Sequence, residues 1–383
     1  MLTQRYSPDL IDKHLLTRDA FMPWPTLMDR DGWSRVPEAV GKAHLRLAQA
    51  ALDEPWPALP ATLYLDFART GNRTRFQDPY NARRRKLVGL VIGECGEAQG
   101  RFIDPSIDER WMICEESTWC VPAHIGAQRA GRGLPDAHEP ILDLFAGETA
   151  SLLAWTHYLL SAVLDEVHSV IAPRIVHEIH HRVLDTALQR DDYWWMALAG
   201  QRVNNWNPWI CSNWLACVLT IEDDQPRRVA AVNKIMRVLD QFIDAYPPDG
   251  GCDEGPGYWG RAGASLFDCL DLLHTATGGR VDVYEDEKIR NIGRYILRAR
   301  IAGDYVMNFA DAPPMARPSG AMVYRIGKRI DDDALKTLGV WAAIDSNIEH
   351  KGVGQGLLRT LPALFEAEHL IDADADEPLP RDV

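Results

Sequence analysis

Three short stretches hold residue types that can do chemistry. Val203 to Trp214, VNNWNPWICSNW, gathers three Trp and four Asn around Pro208. Side-chain amides donate to carboxylates, and indoles offer flat apolar faces. The composition makes a poor helix and an unusual strand, so it reads as a rigid turn broken by Pro208. The second stretch, YPPDGGCDEGPGYWGRAG at 246–263, presents Asp253, Glu254, Tyr258 and Trp259. Gly255 and Gly257 let its backbone approach a ligand closely. A Tyr hydroxyl beside cations or amides can transfer protons, although a hydrogen-bonded structural Tyr is the commoner use. The third, CEESTWCVPAHIG at 114–126, places Glu115, Glu116, Trp119 and His124 together. Carboxylates beside an imidazole can act as acid and base; the plain alternative is a solvated Glu and a satisfied loop His.

Other patterns are weaker. HEIHH at 177–181 matches the HExxH spacing, which on a helix puts His177 and His181 on one face with Glu178 as base. No other zincin signature follows, and a polar helix face is the simpler account. Arg69, Arg73, Arg75 and then Arg83 to Lys86 form a basic run that reads as a solvated helix face. No nucleophile elbow, phosphate-cradling loop or dinucleotide fingerprint is present.

The elements that must position these residues read as helices. KAHLRLAQAALD, PATLYLDFARTG, PYNARRRKLVGLVIGECGEAQG and DPSIDERWMICEESTW follow one another from Gly41. Gly71 suits a C-cap, and Asp104 before Pro105 suits a helix start. LFAGETASLLAWTHYLLSAVLDEV and six later segments continue the 3.6-residue period, with almost no alternating strand pattern. Mostly short connections make consecutive helices antiparallel. The expected fold is therefore all-α, an array of antiparallel helical hairpins over 41–366. Residues 1–40, with Pro23, Trp24 and Pro25, read as irregular, and 367–383 as an acidic tail or linker. The long connectors are an aromatic-rich one from about Asp192 to Trp214 and the Gly-rich one at 246–263. Loaded loops on a rigid scaffold are where function concentrates.

Composition narrows the partners. A net charge of −14 argues against a nucleic-acid binder or an anionic-membrane binder. No apolar run is long enough for a membrane span, and the N-terminus lacks a signal-peptide pattern, so the expected location is cytoplasmic, or periplasmic if the native start differs. Seven Cys without CxxC pairs fit reduced thiols rather than a disulfide framework or a zinc ribbon. No metal or cofactor is expected.

NNWNPW at 204–209, DGGCDEGPGYWGRAG at 249–263 and EESTWCVPAH at 115–124 together resemble the heparinase II/III-like polysaccharide lyase superfamily. RTGNRTRF at 69–76 and LFAGETASLLAW at 144–155 extend the likeness over about residues 60–310. The resemblance implies an (α/α) toroid, complete or as an incomplete barrel. It also implies β-elimination on an acidic, uronate-containing poly- or oligosaccharide. Carried over, Tyr258 is the base or acid, Asn204 or Asn205 neutralises the uronate carboxylate, and His124 assists. Trp206, Trp209, Trp119 and Trp259 become sugar platforms or cleft walls, and Asn207, Glu116, Glu254 and Arg75 further substrate contacts. The family often has His near the position of Asn207. It also carries a C-terminal β-sandwich that contributes a His to the cleft. This sequence holds no such region, which implies a fragment of a longer protein or a reduced member. Two other classes compete: an (α/α)-barrel glycoside hydrolase using two of Glu115, Glu116, Asp253 and Glu254, and a non-catalytic glycan-binding module.

Overall fold

Several helix starts in this chain are set by single carboxylates. In the computed structural model, which describes residues 1–352, 356–371 and 377–378, Asp143 caps one helix by accepting from the Ala146 N–H at 2.8 Å. Asp224 and Asp332 do the same for two others. Each satisfies one of the backbone donors that a helix start leaves without a partner.

The longer helices are α1 Glu38–Asp53, α2 Ala61–Thr70, α3 Thr74–Glu97, α4 Ile103–Cys114, α5 Leu144–Val167 and α6 Ile171–Ile179. They continue as α7 Trp206–Thr220, α8 Gln225–Ala245, α9 Gly263–Ala276, α10 Glu287–Arg298, α11 Gly320–Arg329, α12 Asp333–Asp345 and α13 Leu357–Phe365. Strands β1 Arg300–Ala302 and β2 Tyr305–Val306 form one short antiparallel hairpin. The all-α fold read from the sequence is correct. Gly71 ends α2 in the left-handed region at φ 74°, as a C-cap glycine should. Helix α4 starts slightly earlier than expected, with Phe102 before its first residue and Asp104 and Pro105 inside its first turn.

Packing follows the chain. Helices α3, α5, α7, α9 and α11 each pack against the helix that follows them. They also touch in succession, α3 on α5, α5 on α7, α7 on α9 and α9 on α11, while α13 reaches both α5 and α11. One continuous core runs from Leu2 to Leu370. Helix α7 sits at its centre, buried along almost its whole length. A helix that is apolar all round belongs inside, so Cys211 and Trp214 are core residues with no exposed surface.

Two sequence readings need correction here. Residues 1–40 are not irregular throughout: Leu2–Arg5, Pro8–His14 and Arg30–Trp33 are short helices. Ser7 caps the second of these and Pro8 opens it. Leu2, Ile11 and Phe21 plug into the common core, and Asp240 of α8 accepts from the Thr3 N–H at 2.9 Å. The basic run is a solvated face only in part: Arg69, Arg73, Arg75 and Arg85 are exposed. Arg83 and Lys86 are buried, because the following residues of α3 are core. The tail at 367–383 falls largely outside the described residues; within them, Glu368–Ile371 is helical and Glu377 pairs with Arg300 at 2.7 Å. Among the described residues no helix is long and apolar enough to cross a membrane.

Candidate active site

The Trp- and Asn-rich stretch is the start of a helix, which corrects the reading of it as a broken turn. Asn205 is the N-cap of α7, and Pro208 falls in the first turn, where its missing N–H costs nothing. Asn204 Oδ1 accepts from the Trp206 N–H at 3.0 Å. The Asn204 amide NH2 makes no hydrogen bond among the described residues, and this side chain is half-buried. Asn205 differs: it is buried, and its amide donates to Glu254. Asn207 is fully buried and ties α7 to its surroundings, donating to the carbonyls of Trp195 at 3.1 Å and Val238 at 2.9 Å. It is a structural amide and not a substrate contact.

His124 is fixed from both sides. Its Nδ1 lies 2.7 Å from Asp143 Oδ2, and its Nε2 lies 3.2 Å from Arg73 Nη2. A guanidinium can only donate, so Nε2 accepts and the ring proton sits on Nδ1, facing Asp143. Asp143 is almost wholly buried and spends its other oxygen capping α5. The imidazole stands 4.5 Å from the Trp206 ring, and Trp206 stands 4.9 Å from Trp194. These rings form a partly exposed aromatic shelf at the entry to α7.

A second group lies one turn along α5 and α7. Glu148 accepts from Trp209 Nε1 and from Arg261 Nη1, both at 2.9 Å. The Arg261 guanidinium lies 4.2 Å over the Trp209 ring. Burial pulls Arg261 below its ordinary value, with Glu148 acting in the opposite direction. Tyr258 shares a turn with Arg261, whose N–H donates to the Tyr258 carbonyl at 2.8 Å. The Tyr258 side chain is 37% exposed, and its hydroxyl has no hydrogen bond among the described residues.

The Tyr258 loop is tied to α7 and laid against a later segment. Asn205 holds Glu254, and Arg202 pairs with Asp253 at 3.2 Å. Burial, and then the Asp253 and Asp311 carboxylates, push Glu254 up from its ordinary value. Gly255 has φ 83°, and a Cβ there would come within 2.6 Å of the Phe309 carbonyl oxygen. Only glycine fits at that contact.

Several expected substrate contacts lie elsewhere. Trp119 and Trp259 are each 1% exposed and donate to the carbonyls of Ile113 at 2.9 Å and Ile292 at 2.8 Å. They are core residues, because their ring faces are covered by helices. Glu116 is held by Arg83 at 2.8 Å and Arg84 at 2.5 Å, with its side chain 9% exposed, so its oxygens are committed inside the protein. Glu115 faces solvent and accepts from Trp111 Nε1. Arg75 is exposed and pairs with Asp66 at 2.9 Å. Arg73, two residues earlier, is the cation that reaches His124.

Arg73, Asp143, Glu148 and Arg261 were missed as site residues. Asp143 had one local signal, an Asp immediately before an apolar helix; the others had none beyond lying in the stretches quoted above. In the HExxH segment, Glu178 is clamped by Arg174 at 2.9 Å and Arg182 at 2.6 Å. Among the described residues no group of three or more His, Cys, Asp or Glu is placed to hold a metal ion. No protein-family model matches the chain, and no curated protein matches it.

Proposed function

We propose that the chain is a polysaccharide lyase-type (α/α) toroid that cleaves an acidic, uronate-containing poly- or oligosaccharide by β-elimination. The observation that carries this reading is the set of side chains around the start of α7. An unpartnered Tyr258 hydroxyl, an Asn204 amide with free donors and an Asp143-oriented His124 accompany Trp194, Trp206 and Trp209. The succession of contacting helices, with α13 reaching both α5 and α11, supports the toroid.

In this mechanism the uronate carboxylate meets the Asn204 amide and the nearby guanidinium groups of Arg73 and Arg261. Donors aimed at that carboxylate stabilise the charge that develops when C5 loses its proton. Tyr258, as phenolate, takes the C5 proton. The C5–H electron pair becomes the C4–C5 double bond, the C4–O4 bond breaks, and the Tyr258 phenol returns a proton to O4. His124 positions Arg73, since its Nε2 accepts a hydrogen bond from the guanidinium. Asn205 positions the Tyr258 loop through Glu254. Of the two asparagines, Asn204 is thus assigned to the carboxylate and Asn205 to support.

The test is the ultraviolet absorbance of the unsaturated uronate product on incubation with alginate, hyaluronan and heparan-type chains. Appearance of that absorbance, lost in Tyr258→Phe, supports the reading. Cleavage that yields reducing ends without it would favour a hydrolase. Binding without cleavage would favour a glycan-binding module. The hydrolase has less support, because Glu116 is committed to two arginines and Glu254 to Asn205.

A further inference from the structure

A cavity of about 430 Å³ lies among α5, α9, α11 and α13, beside Trp24. None of its lining residues belongs to the cluster around His124 and Tyr258. At 1.5 Å per residue, Asp268 and Thr275 stand roughly 8 Å and 18 Å along α9 from Gly263, the end next to Arg261. The volume falls in the range of small-molecule sites, about 300–1,000 Å³.

The lining has two characters. Trp24, Leu358 and Pro362 are apolar, and Trp24 is held by stacking on Phe365 at 5.5 Å with 9° between the rings. Most of the charged side chains in the remainder are paired with one another, while Trp155 Nε1 is a buried donor with no hydrogen-bond partner among the described residues. Asp268 accepts from Arg325 and from Arg359 at 2.7 Å. Asp271 meets Arg329 at 2.6 Å and Arg325 at 2.9 Å, and takes the Tyr284 hydroxyl at 2.7 Å. Lys328 pairs with Glu366 at 3.0 Å.

This matching decides the ligand class. A phosphate or other anion would have to win the arginines from Asp268 and Asp271. A cation would face carboxylates that are already paired. A hydroxyl both donates and accepts, so a polyhydroxylated neutral molecule can bond to such pairs without separating them. Its C–H faces suit an indole. We infer that this cavity is a second binding site, for a neutral ligand of one or two sugar rings or a cyclitol, distinct from the residues at the start of α7 and independent of the lyase reading.

Saturation-transfer NMR and calorimetry test it with glucose, galactose, mannose, xylose, cellobiose and myo-inositol, alongside glucuronate and inorganic phosphate. At least one neutral probe is expected to bind saturably. Glu366→Gln and Lys328→Ala should each weaken it about tenfold, the loss of one charge-assisted hydrogen bond. Tyr258→Phe should leave it unchanged. Lys328 is half-exposed, so its variant folds even if a Trp24→Ala protein does not. The inference is overturned if no neutral probe binds or if only glucuronate or phosphate binds. It is also overturned if Tyr258→Phe abolishes binding while Glu366→Gln and Lys328→Ala leave it intact.

Discussion

Two polar regions of this protein use similar residues to opposite ends. Around α3 and α4, Arg83, Arg84 and Lys86 are buried and face Glu116 and Glu109. Trp56 lies under Arg83, 4.9 Å from ring to guanidinium. At the start of α7, Arg73, Arg261 and Glu148 meet His124, Trp206 and Trp209, but Tyr258 and Asn204 keep unpartnered polar groups at the surface. In the first region charge serves packing, and removing one partner strands another. In the second, the supporting groups are satisfied and the unpartnered ones face outwards, as a site that must receive a ligand requires. Both regions hold polar atoms unpartnered among the described residues, but Trp56 Nε1 and Glu109 Oε2 are buried, whereas Tyr258 presents its hydroxyl on an exposed side chain; where the unpartnered groups lie separates scaffold from candidate site better than residue type does.

The strongest way to break this contrast is through the buried residues offered at first as platforms. Trp119→Ala should cost about 4 kcal/mol of stability in denaturant unfolding, the range for a core Trp. Unchanged stability would mean that the indole is not packed as described. Glu116→Ala should cost about 3 kcal/mol, because two buried guanidinium groups lose their counter-charge. By contrast, Tyr258→Phe should move stability by less than about 0.5 kcal/mol while lowering turnover by about two to four orders of magnitude on any uronate polymer that the protein cleaves.

A pH titration sharpens the contrast from within the buried region. Burial pushes the Glu109 carboxyl up to about 7, against the pull of Lys86. A raised carboxyl means that the folded state holds its proton more tightly than the unfolded one. The associated stability is therefore fully present below about pH 4.5 and is lost as pH rises through about 7. The change is on the order of 3 kcal/mol, and Glu109→Gln should flatten it in pH-dependent unfolding. The smallest effect belongs to the exposed Arg75–Asp66 pair. Arg75→Ala should alter stability by about 0.5 kcal/mol or less and leave turnover unchanged.

The helices were legible because their period and caps are local. Gly71 could be read from the chain alone. Pro208 misled because proline breaks a helix interior but is harmless in a first turn, and the sequence alone does not mark where that turn begins. Trp206 and Trp119 look alike in sequence; which one is covered depends on helices distant in the chain. Asn204 and Asn205 are neighbours, and only the arrival of Glu254 from the 246–263 loop separates their roles. Arg73 was passed over for Arg75 because which of two nearby arginines reaches His124 depends on where the 115–143 loop lies.

The contact at Gly255 has a consequence for how this site could change over time. The phenol of Tyr258 inherits its place from the backbone around Phe309, a part of the chain that offers none of the proposed chemistry. Insertions or substitutions there would move the group proposed to transfer the proton without altering any other residue around the start of α7. The segment from Phe309 to Pro313, against which Gly255 and Gly257 lie, would thus set its reach while the chemical groups stay fixed.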